Sequence, residues 1–342
     1  MNGYDHGDDR YRFPEHNIIA DFSSNVPEIP PHEELWDAIS MARNAIRRYP
    51  PPHPYGLEKS IAEKMGVSPE CVAVTSGATE AIYIVAHRCQ QSHSLVPQPT
   101  FSEYARAANL YNHKVSYCAI DELEELLSTS SLPYQVVWLC NPNNPTGKTY
   151  PHDRLLHWIE QFSDVLFVVD QSYHAFTLNK VLTPEEATSH PNCLLIQSLT
   201  KTYAIPGLRL GYLIAHPSLV QSISTYRMPW SVNALAIEGG AHLLRQEVPF
   251  SLPALLFERM HLVEKLQSLR GLQVVPTDTH YFLARLLHYE ARELKERLVS
   301  EYGILVRDAS TFPTLTTHHI RIATQSRAHN ALLVEALTHI LQ

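Results

Sequence analysis

An α/β fold, with a mostly parallel central sheet between helical layers and a smaller α+β unit beside it, is predicted by three observations. From about residue 57 the 342-residue chain alternates helical and strand-like segments. Several strand segments are nearly continuous apolar runs, as in Val165-Leu-Phe-Val-Val-Asp170 and Tyr134-Gln-Val-Val-Trp-Leu-Cys140. Such runs fit strands covered on both faces, the situation of a parallel sheet packed by helices. Beyond about residue 250 the pattern changes to one long helical segment followed by short strands and a terminal helix.

Taken in order, a helix is predicted from Glu33 to Arg48, then a rigid proline-rich turn, Tyr49-Pro-Pro-Pro-His-Pro-Tyr55. Helices follow over Leu57 to Met65, Ala78 to His87 and Ser102 to Leu110. Between and after them come strands at Cys71 to Thr75, Ser94 to Pro97 and Lys114 to Tyr117. Two further apolar strands are expected at Leu194 to Ser198 and Leu210 to Ala215. The last part reads as a helix from Leu252 to Leu269, strands near Leu272 to Val275, Tyr281 to Arg285, Ile304 to Arg307 and Ile320 to Ala323, and a helix from Arg327. The expected division is a large domain over residues 46–248 and a small one assembled from residues 1–45 and 249–342.

A net charge of -8 argues against general affinity for nucleic acid or acidic membranes. No apolar stretch reaches the roughly 18 residues needed to cross a bilayer. The polar, acidic start Met-Asn-Gly-Tyr-Asp-His does not read as a signal peptide. Five cysteines, widely spaced and mostly beside apolar runs, read as buried thiols in a reducing compartment, so a soluble cytoplasmic protein is expected. The 20 histidines lack Cys or carboxylate partners at ligand spacing, and no metal is expected.

Candidate chemistry gathers at the ends of consecutive strands. Ser198-Leu-Thr-Lys-Thr-Tyr-Ala-Ile-Pro-Gly-Leu-Arg-Leu-Gly-Tyr212 places a lysine, Lys201, between a hydroxyl donor, Ser198, and the planar cation of Arg209. That cation would favour an unprotonated, nucleophilic Lys201. In Val168-Val-Asp-Gln-Ser-Tyr173 an aspartate, Asp170, ends an apolar strand, where it is costly to bury unless it meets a cation. Asn141-Pro-Asn-Asn-Pro-Thr-Gly147 is turn chemistry between two strands. Ser76-Gly-Ala-Thr-Glu-Ala-Ile82 opens a helix, whose first N–H groups at Ala78 and Thr79 suit an anion. Pro99-Thr-Phe-Ser-Glu-Tyr104 adds aromatic rings at the next strand end.

In this order the segments resemble the class I/II aminotransferases, the fold-type I enzymes that use pyridoxal 5'-phosphate (PLP). The resemblance runs from about residue 19 to the C-terminus. It implies that Lys201 forms the Schiff base and moves protons, and that Asp170 pairs with the pyridine nitrogen. It further implies that Asn144 and Tyr173 contact the ring oxygen, Phe101 stacks on the ring, and Ala78, Thr79, Ser198 and Arg209 hold the phosphate. This division of labour is what PLP chemistry requires of a protein.

Within the family the chain resembles the branch of threonine-phosphate decarboxylases, which belong to cobalamin biosynthesis, and histidinol-phosphate aminotransferases. Asp21-Phe-Ser-Ser-Asn25 and the upstream His6-Gly7 resemble the decarboxylase entry segment. Arg48-Tyr-Pro50 implies that Tyr49 reaches the PLP phosphate of a partner subunit, hence a homodimer with shared active sites. Arg321 in His-Ile-Arg-Ile-Ala and Arg307 in Leu-Val-Arg-Asp-Ala match the carboxylate-binding and phosphate-binding arginines. Asn25, His6 and His280 complete the implied substrate set. Departures from the usual pattern are Gln171 for Glu, Ser76 for Asn and His280 for Asn.

The reaction expected is decarboxylation of L-threonine-O-3-phosphate, with histidinol-phosphate transamination as the alternative. Both use the same residues, and only the pose of the substrate over Lys201 separates them. A non-catalytic, aminotransferase-like sensor module is the alternative of another class.

Overall fold

The computed structural model describes residues 7–29, 32–129 and 134–342. Its strands are β1 (Ala20–Asp21), β2 (Val72–Thr75), β3 (His93–Pro97), β4 (Lys114–Cys118), β5 (Val136–Cys140), β6 (Leu166–Asp170) and β7 (Cys193–Ser198). They continue with β8 (Gly211–Ala215), β9 (Leu272–Val274), β10 (Tyr281–Leu286), β11 (Ile304–Leu305), β12 (Arg307–Asp308) and β13 (His319–Ala323). Seven of them form the main sheet in the order β2-β8-β7-β6-β5-β3-β4. The ladders from β4 to β7 are parallel, and β8 runs antiparallel to both of its neighbours. The mostly parallel α/β sandwich is therefore the architecture observed, with one reversed strand.

Each face of this sheet carries its own apolar layer, one around Trp158 and Phe167 and the other around Trp138, Tyr104 and Ile82. Strands β5 to β8 are buried at every position, which explains why they read as continuous apolar runs. A second, antiparallel sheet has the order β12-β13-β10-β9 and packs its own core, including Phe22, Leu266 and Phe282, under helices Leu252–Gln267, Ala291–Tyr302 and Arg327–Leu341. β1 pairs in parallel with β11, so the N-terminal segment joins the C-terminal part of the chain. Helix Ala291–Tyr302 also holds that segment by a buried ion pair, Lys295 to Asp9 at 2.7 Å.

Three expected boundaries move. The helix expected from Glu33 to Arg48 is α-helical only over Glu33–Met41 and continues as a tighter 3-10 turn over Ala42–Arg47, which buries no residue. Cys71 belongs to a 3-10 turn opened by Pro69, and the strand starts at Val72. The strand expected from Ile304 to Arg307 is two strands, because the chain leaves β1 at Leu305 and meets β13 at Arg307. All five cysteines are buried free thiols. No described helix is long and apolar enough to cross a membrane.

Candidate active site

The C-terminal ends of β2, β3, β5, β6 and β7 open into a cavity of about 620 Å³ that is closed on its other side by Arg307 and Arg321 of the small sheet. Strand ends in an open parallel sheet are the usual place for a ligand, because helix N-termini and loop side chains converge there.

Lys201 stands in the four-residue helix Leu199–Thr202 directly after β7. Its Nζ donates to the carbonyl of Ser24 at 2.9 Å. Burial, and then the guanidinium groups of Arg321 and Arg209, lower its pKa from 10.5 to about 8, against the pull of Asp21 and Asp8. The expectation that a nearby cation favours the neutral amine therefore has a counterpart in the geometry, although desolvation contributes more than Arg209.

Asp170 ends β6 and is 4% exposed. Its Oδ1 accepts from the Ser172 N–H at 2.9 Å and the Ser172 hydroxyl at 2.6 Å. Its Oδ2 accepts from the Tyr104 hydroxyl at 2.8 Å. Burial pushes its pKa up while these three donors pull it down, and it makes no salt bridge among the described residues. Tyr173 is buried too, its phenol driven up to about 12 chiefly by desolvation.

Around the lysine, Gly77 takes a φ of +86°, and a Cβ there would sit 2.5 Å from Arg209 Nη2. The glycine thus lets the guanidinium lie against the start of helix Ala78–Arg88, where the first backbone N–H groups are free of intrahelical partners. Arg209 itself has a φ of +58° and donates to the Pro206 carbonyl at 3.0 Å. The Ser198 and Thr200 hydroxyls bond each other at 2.6 Å in the same corner. Ala78, Thr79, Ser198 and Arg209 all line the cavity, as do Phe101 and Asn144.

On the opposite wall, Arg307 and Arg321 are register partners on adjacent strands, only 3% and 4% exposed. Arg321 donates to Asn144 Oδ1 and to the Ser23 carbonyl, and burial lowers its pKa to about 10. Arg307 donates to Thr311 Oγ1 at 2.8 Å and lies over the Phe312 ring.

Three residues of the sequence-derived set lie elsewhere. Tyr49 is 86% exposed, its ring tilted against Trp230 at 5.4 Å, and is not among the residues that line this cavity. His280 is fully buried behind the cavity wall, 4.2 Å from the Phe176 ring, and desolvation drops its pKa to about 3. Asn25 is also fully buried, with a φ of +53° between the cavity-lining Ser24 and Val26. His6 lies outside the described residues. Conversely, Tyr104, Ser172 and Thr200 touch the site more directly than sequence reasoning assigned. Only the Ser-x-Thr-Lys and Asp-x-Ser spacings signalled the last two.

With this geometry in hand, the sequence matches the family model Aminotransferase class I and II over residues 17–340. The crystal structure of L-threonine-O-3-phosphate decarboxylase from Porphyromonas gingivalis superposes with a TM-score of 0.89 at 33% identity, covering 94% of this chain and 99% of that one. Threonine-phosphate decarboxylase of Salmonella typhimurium is 28% identical over 94% of this chain and 91% of its own length. Histidinol-phosphate aminotransferase 2 of Archaeoglobus fulgidus is also 28% identical, over 99% of this chain and 98% of its own length.

Proposed function

The chain belongs to the class I and II aminotransferase family, and on that footing we propose that it is a PLP enzyme that decarboxylates a small phosphorylated amino acid, with L-threonine-O-3-phosphate as the substrate. The observation that carries the reading is the facing of two unlike walls: a buried carboxylate and a lysine whose pKa is lowered to about 8 on one, two buried arginines on the other. The chemistry of the donor set fits PLP. Asp170 is a desolvated carboxylate without a described cation, which suits a protonated ring nitrogen. The Gly77 cradle under Arg209, with the start of helix Ala78–Arg88, suits a phosphate.

In this reading Asp170 holds the ring nitrogen, Asn144 and Tyr173 donate toward the ring oxygen, and Phe101 packs on the ring. Ala78, Thr79, Ser198 and Arg209 surround the phosphate. When bound, PLP supplies the electron sink that lets a bond at the substrate Cα break. Lys201 carries the cofactor and, with its pKa lowered to about 8, takes up and returns the proton at Nζ. Arg321 orients the substrate carboxylate and Arg307 its phosphate, each in a desolvated site where a charge-assisted bond is strong. Residues 46–248 then form the cofactor-holding body, and residues 1–45 with 249–342 the part that grips substrate. Exposed Trp36, Met41, Ile46 and Tyr49 supply the apolar surface for a homodimer in which Tyr49 reaches the partner's phosphate site.

Transamination of histidinol phosphate is the second reading, supported by equal 28% identity to relatives of both activities. Incubation with each substrate decides. Carbon dioxide and an aminoalkyl phosphate are the products expected. Glutamate formed from 2-oxoglutarate would reverse the order of the two readings, and turnover of unphosphorylated amino acids alone would remove both.

A further inference from the structure

The carboxylate of Asp170 has four lone-pair positions, and three of them are used by protein donors. Oδ1 is filled by the two bonds from Ser172. Oδ2 takes only the Tyr104 hydroxyl, so a single position on Oδ2 is left, and Asp170 lines the cavity. Tyr104 is fixed for this purpose. It is 1% exposed, stacked on Trp138 at 5.9 Å and 16°, and edge-on to the cavity-lining Phe101 at 5.7 Å. Its phenol cannot turn away without breaking that packing, and burial beside Asp170 keeps it protonated, hence a donor.

From this arrangement we infer that Tyr104 and Ser172 are positioning residues that keep Asp170 an anion and aim its last open lone pair at the cofactor ring. The inference rests on the PLP reading above. Titratable neighbours of Asp170 are Tyr104 from helix Glu103–Leu110, Cys140 at the end of β5 and Tyr173 beyond β6. All three have raised pKa values and stay neutral, so the anion is sustained by hydrogen bonds, with Lys201 and Arg321 as the cations that line the same cavity. Losing a donor to an anion raises the proton affinity of that anion. Asp170 would then protonate at higher pH and cease to support a protonated ring.

Equilibrium dialysis of PLP against the apoenzyme, followed by visible absorbance across pH, tests this with Tyr104→Phe and Ser172→Ala. Tyr104→Phe keeps the ring and its packing and removes only the hydroxyl. We expect its affinity for PLP to fall about tenfold or more. The acid limb of cofactor binding should move up by about one pH unit. Ser172→Ala keeps the backbone donor and should shift both in the same direction by less. A merely structural Tyr104 would lower the melting temperature and leave affinity and pH profile where they are, which would overturn the inference. Should Tyr104→Phe fail to fold, an unshifted Ser172→Ala profile has the same force. A wild-type protein that binds no PLP would instead remove the cofactor reading, and the inference with it.

Discussion

The two walls of the cavity are built by different means. The floor comes from the ends of five strands of one sheet, so Lys201, Asp170, Asn144 and Phe101 are each within a few residues of a strand terminus. The opposite wall comes from a separate sheet and from residues 23–26, brought together by contacts over nearly 300 residues, such as Arg321 to the Ser23 carbonyl. In the proposed reading the floor holds the cofactor. The wall holds two arginines side by side at almost complete burial, an arrangement that suits a ligand with two anionic groups. In the proposed reading cofactor and substrate recognition are thus separable, and variants on each side should fail differently.

The largest effect is expected on the floor. Lys201→Ala removes both the covalent anchor and the proton carrier, and turnover should fall by at least about 10⁴-fold, the upper end for loss of a general acid–base group. Its absorbance spectrum should lack the lysine-bound cofactor band. Retention of that band in the variant would break the division between the walls at its strongest point.

Next comes the wall. Arg321→Ala removes a charge-assisted donor from a desolvated site, worth about 1.5–3 kcal/mol for each bond lost. kcat/KM should drop about 10- to 200-fold, while PLP affinity, measured by dialysis, stays within about twofold. Arg307→Ala should be milder and selective. It should lower kcat/KM for the phosphorylated substrate about tenfold relative to its unphosphorylated analogue. Equal losses on both substrates would show that Arg307 does not read the phosphate.

The same contrast governs what the sequence disclosed. That Lys201, Asp170 and Asn144 share one cavity was legible because they follow an ordered series of strand ends, and strand ends are visible as apolar runs closed by polar residues. Direction was not visible. β8 is as fully buried as β7 and β6, yet it runs antiparallel, because an apolar run does not record which way its strand points. Nor was the hold on Asp170 visible, since its Tyr104 donor lies 66 residues upstream on a helix. His280 stood out by its type, but its position is inside the packing against Phe176 rather than on the cavity surface, and spacing alone does not reveal depth.

The smallest expected effect concerns Lys201 as a burden on the apoenzyme. Its folded-state pKa is about 8, against 10.5 for an ordinary lysine. Between those values the unfolded chain binds more protons than the folded one, so stability must rise with pH across that window. Below about pH 8 both states are protonated and the folded state carries the full cost of a desolvated ammonium. Above about pH 10.5 both are neutral and the cost is gone. Lys201→Met removes the titrating group at similar volume and leaves any fixed offset, such as loss of the bond to the Ser24 carbonyl, independent of pH. Relative to that variant, the wild-type melting temperature should climb by about 2–4 °C between pH 8 and 10.5. A flat difference across the window would mean that the amine is solvated in the free protein. The ease with which Lys201 becomes a nucleophile would then have to come from the bound cofactor rather than from the floor of the cavity.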